Sequence, residues 1–133
     1  MMVGETNLDK LLGNKSAELM DGLYVFATIP EGEIPIGVCP KMTFYEAEGM
    51  TLFLLKEEAE ARGLAYEFRC RVITLNTHSS LETVGFLARI TSALAKHDMG
   101  VNPVSGFFHD HLFVPNGREL DAISVLDGFP SKT

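Results

Sequence analysis

Runs of apolar residues separated by Gly- and Pro-rich segments predict the elements of the first half of the chain. Residues 23–29 (LYVFATI) are apolar on both faces, which predicts a central strand. Residues 30–40 contain three prolines and predict a loop. The segments MTFYEA and MTLFLL on either side of Glu48-Gly49 predict a hairpin. Residues 56–63 (KEEAEARG) predict a short helix that ends at Gly63.

The N-terminal segment has the apolar spacing of a helix. Thr6 is a candidate N-cap, and the leucines at 8, 11 and 12 share one helical face. The pattern is interrupted at Gly13-Asn14 and resumes at Leu19 and Met20. We therefore predict that a helical segment precedes the first strand.

The segment 65–78 predicts one long strand whose faces change character midway. Glu67, Arg69 and Arg71 lie on one face, and Ile73 and Leu75 continue that same face with apolar side chains. A face that changes from exposed to buried indicates that the chain enters a second module near Arg71. We therefore predict two domains, residues 1–70 and 71–133.

The second module has the element order β-α-β-β-α. Strand 71–78 leads to a helix from about Ser80 to Asp98, with Ser79 and Glu82 in capping-box spacing and Gly100 as the stop. Strand 101–108, a turn at His109-Asp110, strand 111–115 and helix 117–128 follow. One more strand would complete a ferredoxin-like unit, and the remaining residues FPSKT are too short and polar to supply it.

These elements predict an α+β fold of two ferredoxin-like modules, both incomplete, which share antiparallel sheet and carry helices on one face. The first module gives helix, strand, hairpin, helix and strand, without a helix between its first two strands. The second module must close its sheet on the first module or on another chain, because an open apolar edge favours pairing. We therefore expect a homodimer or a higher homo-oligomer.

Charge and composition exclude several partners. The net charge of −7 is spread along the chain, and no basic stripe is present to bind nucleic acid or an anionic membrane surface. No apolar run reaches the ~18 residues of a membrane span, and the N-terminus lacks a secretory pattern. These features predict a cytoplasmic protein, in which Cys39 and Cys70 would be buried reduced thiols.

Residues 85–95 have the spacing G-x-L-x-x-I-x-x-x-L-A, and Gly100-Val101-Asn102 follows. This motif resembles the ACT domain, a small regulatory module that senses amino acids. The whole chain is similar to small bacterial two-module ACT proteins of uncharacterised function through GETNLD, AYEFRCRVITL, HSSLE and NPVSGFFHDHLFVP. In place of the Asp-x-Pro-Gly turn that often precedes the ACT helix, this chain has Glu82-Thr83-Val84-Gly85.

The start of this helix is the candidate ligand site, because unpaired amide groups at a helix N-terminus attract a carboxylate or phosphate. The resemblance places an amino-acid pocket at the same position. The alternative is plain capping by Ser79 and Glu82, with Gly85 allowing close helix–sheet packing. The candidate ligand-binding residues are His78, Ser79, Ser80, Glu82, Thr83, Val84, Gly85, Phe86, Asn102 and Pro103.

The histidines offer a weaker alternative. His109 and His111 flank Asp110, and together with His78 they have the ligand types of a zinc, nickel or copper site. A hairpin turn explains the same residues, so we predict no metal and no cofactor. No nucleophile elbow, phosphate-binding loop or dinucleotide fingerprint is present.

The sequence therefore predicts a non-enzymatic regulatory protein that binds a small molecule, with an amino acid as the favoured ligand and another protein as the regulated partner. The alternatives are an interaction module without a ligand, a metal-binding protein, or an enzyme that uses His78, His109 and His111.

Overall fold

The structure, a computed structural model, describes residues 17–30, 33–76 and 85–128. Seven strands and three helices lie in these ranges. In chain order they are β1 (Ala17–Leu19), β2 (Tyr24–Ile29), β3 (Met42–Glu46), β4 (Gly49–Leu55), α1 (Lys56–Ala61), β5 (Tyr66–Leu75), α2 (Phe86–Ala95), β6 (Asn102–Ser105), β7 (Asp110–Pro115) and α3 (Glu119–Asp127). Within these ranges, every helix is too short or too polar to cross a bilayer.

The chain divides into two compact units. The first unit comprises residues 22–70, and the second unit combines residues 71–128 with the described N-terminal residues 17–21. The second unit therefore contains segments from both sides of the first. The division into domains at 1–70 and 71–133 stays a prediction.

The first unit is a four-stranded sheet with one helix. Its strand order is β3-β4-β2-β5, and its pairings are antiparallel. Alternate residues of β2 and β4 point to the side of α1, because successive side chains of a strand face opposite ways. They form the core with Ala59 of α1, and the buried members are Val25, Ala27, Ile29, Met50, Leu52, Leu54 and Ala59. The described residues 33–41 contain no helix, as the proline content predicts.

The second unit is a sheet covered by α2 and α3. The strand β1 pairs antiparallel with β5, β7 neighbours β5, and β6 pairs with β7, which gives the order β1-β5-β7-β6. Ile90 and Leu94 lie one turn apart on the apolar face of α2 and meet the inward residues of β5 and β7. The buried core consists of Ile73, Leu75, Phe86, Ile90, Leu94, Met99, Leu112, Val114, Ala122 and Leu126.

Strand β5 belongs to both units. Its residues Tyr66, Glu67 and Cys70 pair with β2 in the first unit, and Ile73 to Leu75 pair with β1 in the second. Exposure falls along the strand as predicted, since Glu67 and Arg69 are exposed and Ile73 and Leu75 are fully buried. The strand also contains a bulge, because its register against β2 shifts and Phe68 has a φ of 59°. The α+β class and the two modules are confirmed.

The strand that completes the second unit comes from the N-terminal segment. Residues 17–19 form β1, so the predicted helical continuation through Leu19 is wrong. Backbone pairing with β5 outweighs the local helical spacing. The predicted helix capped at Thr6 lies outside the described residues. Because β1 pairs with β5, this edge of the second unit is closed by a segment of the same chain, which is one of the two predicted alternatives.

Two boundaries in the second unit differ from the prediction. Helix α2 begins at Phe86, because Gly85 adopts a left-handed φ of 85° that no helix continues through. The end of α2 also differs from the prediction. The left-handed residue that follows the helix is Asp98, with a φ of 55°, and not the predicted Gly100. The hairpin between β6 and β7 turns at residues 106–109, so Asp110 is already the first residue of β7.

The two cysteines are both free, but they differ in environment. Cys70 is completely buried, and burial raises the pKa of its thiol to about 12. Cys39 is exposed in the loop, and its backbone N–H donates to Glu58 Oε2 at 3.2 Å. The prediction of a buried thiol holds for Cys70 and is wrong for Cys39.

Substituting Gly49 tests the hairpin that joins β3 to β4. A Cβ at Gly49 would lie 2.6 Å from the backbone oxygen of Ile29, whereas one at Gly63 meets nothing within 4 Å. Both glycines have positive φ, so Gly63→Ala carries the backbone strain without the clash and should cost about 1 kcal/mol. Gly49→Ala should cost about 1 kcal/mol more, measured by urea unfolding. Equal losses for the two variants would contradict this geometry.

Thiol labelling tests the placement of β5. At pH 8, an excess of an aromatic disulfide reagent should modify one thiol per native chain, at Cys39, because Cys70 is buried and un-ionised. The same reagent in denaturant should modify two. Cys39→Ser should abolish rapid labelling of the native protein, whereas Cys70→Ser should leave it unchanged. Rapid native labelling of the Cys39→Ser variant would contradict the burial of Cys70.

Candidate functional site

The predicted ligand site surrounds the start of α2, and the structure describes four of its ten residues. Gly85 is the N-cap residue of α2 and is half-buried. Its carbonyl oxygen accepts a hydrogen bond from the Arg89 N–H at 3.0 Å, which closes the first turn. The other predicted residues at this end, His78, Ser79, Ser80, Glu82, Thr83 and Val84, lie outside the described residues.

Phe86 fixes the position of the helix start. Its side chain is 2 % exposed and packs in the core of the second unit, which fixes the first turn of α2 against the sheet. A fully packed phenylalanine leaves only its backbone for a ligand. Among the predicted residues, Phe86 therefore has a structural role.

The electrostatics of α2 differ from those of the other two helices. Helix α1 has Glu57 and Glu58 in its first turn, and α3 has Glu119 and Asp121, so both carry carboxylates near the positive end of the helix dipole. The first turn of α2 contains no acidic residue. Within residues 85–95, no side chain therefore neutralises the partial positive charge at this end.

Asn102 and Pro103 lie on the edge strand of the second unit. They pair with Phe113 and Leu112 of β7, and both side chains are exposed. The Asn102 amide makes no hydrogen bond to any other described residue. Among the described residues, the Asn102 amide therefore has no hydrogen-bond partner, and Asn102 makes no direct contact with Gly85.

The histidine motif lies in the β6–β7 hairpin. Asp110 is buried, and the Ser105 hydroxyl donates to its Oδ1 at 2.7 Å. The Nδ1 of His111 is 2.9 Å from the Thr74 hydroxyl, and the rings of His109 and His111 meet edge-on with centroids 6.5 Å apart. No three potential ligands among the described residues converge as a metal site requires. His78 lies outside those residues.

A groove on the first unit was not anticipated from the sequence. Its volume is about 540 Å³, and it is lined by Phe26, Ala27, Thr28, Glu46, Thr51, Ala65, Tyr66 and Glu67. Phe26 lies opposite Glu67, and Thr28 lies opposite Thr51. Residues that pair directly share one face of a sheet, so these four side chains project from the face opposite α1.

A hydrogen bond orders one end of this groove. The Thr51 hydroxyl donates to Oε1 of Glu46, which holds that carboxylate against the sheet. The Tyr66 side chain instead packs on the side of α1, where its hydroxyl donates to Glu60 Oε2 at 2.8 Å. The Lys56 ammonium and then this hydroxyl lower the pKa of Glu60. The groove therefore offers carboxylates, threonine hydroxyls and the Phe26 ring.

Comparison with known proteins identifies the modules. Residues 3–71 match one family model of the ACT domain, and residues 66–127 match another. The two matches overlap in β5. No curated protein matches the sequence.

Solved structures agree with this assignment. A Vibrio cholerae protein of unknown function, described as a possible transport protein, is 39 % identical, covers 92 % of this chain and 94 % of its own, and superposes with a TM-score of 0.83. The ligand-free regulatory subunit of aspartate kinase from Thermus thermophilus shares the fold at 12 % identity and a TM-score of 0.64, covering 86 % of this chain and 95 % of its own. Aspartate kinase from Clostridium acetobutylicum shares it at 11 % identity and 0.64, covering 87 % of this chain and 34 % of its own. The chain belongs to the ACT-domain family.

Proposed function

We propose that this protein is a non-catalytic regulatory module that binds an amino acid at the start of α2. The observation that carries the proposal is the pair of ACT-domain matches, because ACT domains are typically regulatory modules that bind small molecules. The carboxylate of an amino acid would lie against the first amide groups of α2. The acid-free first turn supports this placement.

Asn102 would complete recognition in this proposal. Its exposed amide carries both a donor and an acceptor, which suits the ammonium and carboxylate groups of an amino acid. The predicted residues at 78–84 would supply further hydroxyl and backbone groups. Ligand binding would regulate a separate protein partner through a difference in affinity between two states of the module. The two free thiols support a reducing, cytoplasmic location.

We further propose that the protein is a homodimer joined through the edge strand β3. Phe44 and Tyr45 project to opposite faces of this strand and are 66 % and 75 % exposed. The strand ends the order β3-β4-β2-β5, and it lacks the lysines and prolines that usually block edge pairing. A two-fold axis at Phe44 would align two copies antiparallel and bring their phenyl rings together.

Titration with amino acids tests the ligand proposal. The twenty amino acids would be screened by thermal shift and the hits measured by calorimetry, and at least one should raise the melting temperature. Asn102→Ala should weaken that ligand about tenfold, because a hydrogen bond to a charged group is lost. The control is Asn116→Ala, which truncates an exposed asparagine in the turn after β7 and should bind as wild type. Absence of heat and thermal shift with every amino acid would refute amino-acid binding.

Light scattering tests the dimer. The molar mass of the wild-type protein should equal that of two chains. The molar mass of the Phe44→Lys variant should equal that of one chain, because two facing lysines repel each other and remain hydrated. Leu120→Lys changes a side chain that is 73 % exposed on α3 and should remain dimeric. A monomeric wild type, or the same shift in both variants, would exclude β3 as the interface.

A further inference from the structure

We propose that the groove on the first unit binds an organic amine that carries no carboxylate group. This site lies on a different unit from the start of α2 and goes beyond the amino-acid proposal. The groove is a concave, about 540 Å³ space on the sheet face opposite α1. Its volume falls in the range of small-molecule sites.

The charge of the lining residues selects a cation. Glu46 and Glu67 are the charged residues among them, and no lysine, arginine or histidine lines the groove. Within the described part of the chain, neither carboxylate forms an ion pair. An ammonium group would meet unpaired negative charge here, whereas a carboxylate would be repelled.

The spacing of the two carboxylates favours an extended ligand. Glu46 lies on β3 and Glu67 on β5, which are the two outer strands of the order β3-β4-β2-β5. Three intervals between neighbouring strands and an offset of four residues along the strands separate their backbones by roughly 19–20 Å. The Glu46 side chain shortens this span, because its carboxylate accepts a hydrogen bond from Thr51 on the next strand toward Glu67. A linear diamine would place one ammonium group at each carboxylate.

The floor between the carboxylates suits a chain of methylene groups. Phe26 contributes apolar surface, and the paired residues Thr28 and Thr51 carry hydroxyls beside it. The Tyr66 hydroxyl is already bonded to Glu60, and the Arg69 guanidinium lies 5.8 Å from the centre of the Tyr66 ring. Because the Tyr66 side chain packs on the side of α1, the ligand's ammonium groups are assigned to Glu46 and Glu67.

Two compounds that differ by one carboxylate test the proposal. 1,5-Diaminopentane is lysine without its carboxylate. Each would be titrated by calorimetry and into ¹⁵N-labelled protein, at low salt and at about 150 mM salt. The diamine should shift the amide signals of Thr28, Thr51 and Glu67, and lysine should bind the groove about tenfold more weakly. Equal groove binding of both compounds, or no groove shifts with the diamine, would overturn the proposal.

Charge-matched variants separate groove binding from general attraction to an acidic protein. The double variant Glu46→Gln/Glu67→Gln should bind the diamine about tenfold more weakly, since two ion pairs are lost. The control Glu33→Gln/Glu48→Gln removes the same charge from exposed positions outside the groove lining and should bind as wild type. Equal weakening in both would overturn the proposal as nonspecific attraction. If the groove variant fails to fold, the comparison of diamine with lysine on wild type still decides.

The two binding proposals can be refuted independently of each other. Amino-acid binding at α2 would shift the signals of Gly85 and Asn102, and diamine binding would shift those of the first unit. Loss of one response with retention of the other therefore identifies which proposal is wrong.

Discussion

The backbone pairing of β5 is the constraint on which both units depend. Its first half is the last strand of the first unit, and its second half is the first strand of the second. In the first unit the strands follow the order of a ferredoxin-like sheet, with the fourth strand beside the first. In the second unit β1 comes first in the chain but occupies the fourth-strand position beside β5. The ten residues of β5 thus supply one strand to each unit, which shortens the chain needed for two modules to 133 residues. The bulge at Phe68 lies in the half that pairs with β2, so the irregularity is confined to the first unit.

Local sequence patterns predicted the strongest elements well. The run 23–29 became β2, residues 56–63 contained α1, and the exposed-to-buried change along β5 placed the transition between modules. Strand β1 was missed because Ala17, Glu18 and Leu19 have no strand pattern of their own, and their pairing with β5 defines them. The start of α2 was misplaced because a capping-box spacing was given more weight than the left-handed tendency of Gly85.

The groove lay beyond sequence reasoning for a different reason. Its lining comes from all four strands of the first unit and the residue before β5, and only the pairing register brings Phe26 opposite Glu67. The sequence places Phe26 and Thr28 on one face of β2, but the sequence analysis interpreted residues 23–29 as apolar on both faces. The two candidate sites have opposite electrostatic character, since the start of α2 lacks carboxylates and the groove carries two. If both proposals hold, such a difference would allow one small protein to distinguish anionic from cationic metabolites.

The pairing of β1 with β5 has a consequence for synthesis on the ribosome. Glu18 of β1 bonds Asn76, which follows β5, although the two lie 58 positions apart. The first unit is encoded entirely between them, so it is complete in the nascent chain before the second unit has its remaining strands. During that interval the N-terminal segment has no partner strand to pair with. The nascent chain must therefore keep residues 17–19 unpaired and available while the inserted unit folds, and premature pairing elsewhere would trap an open second unit.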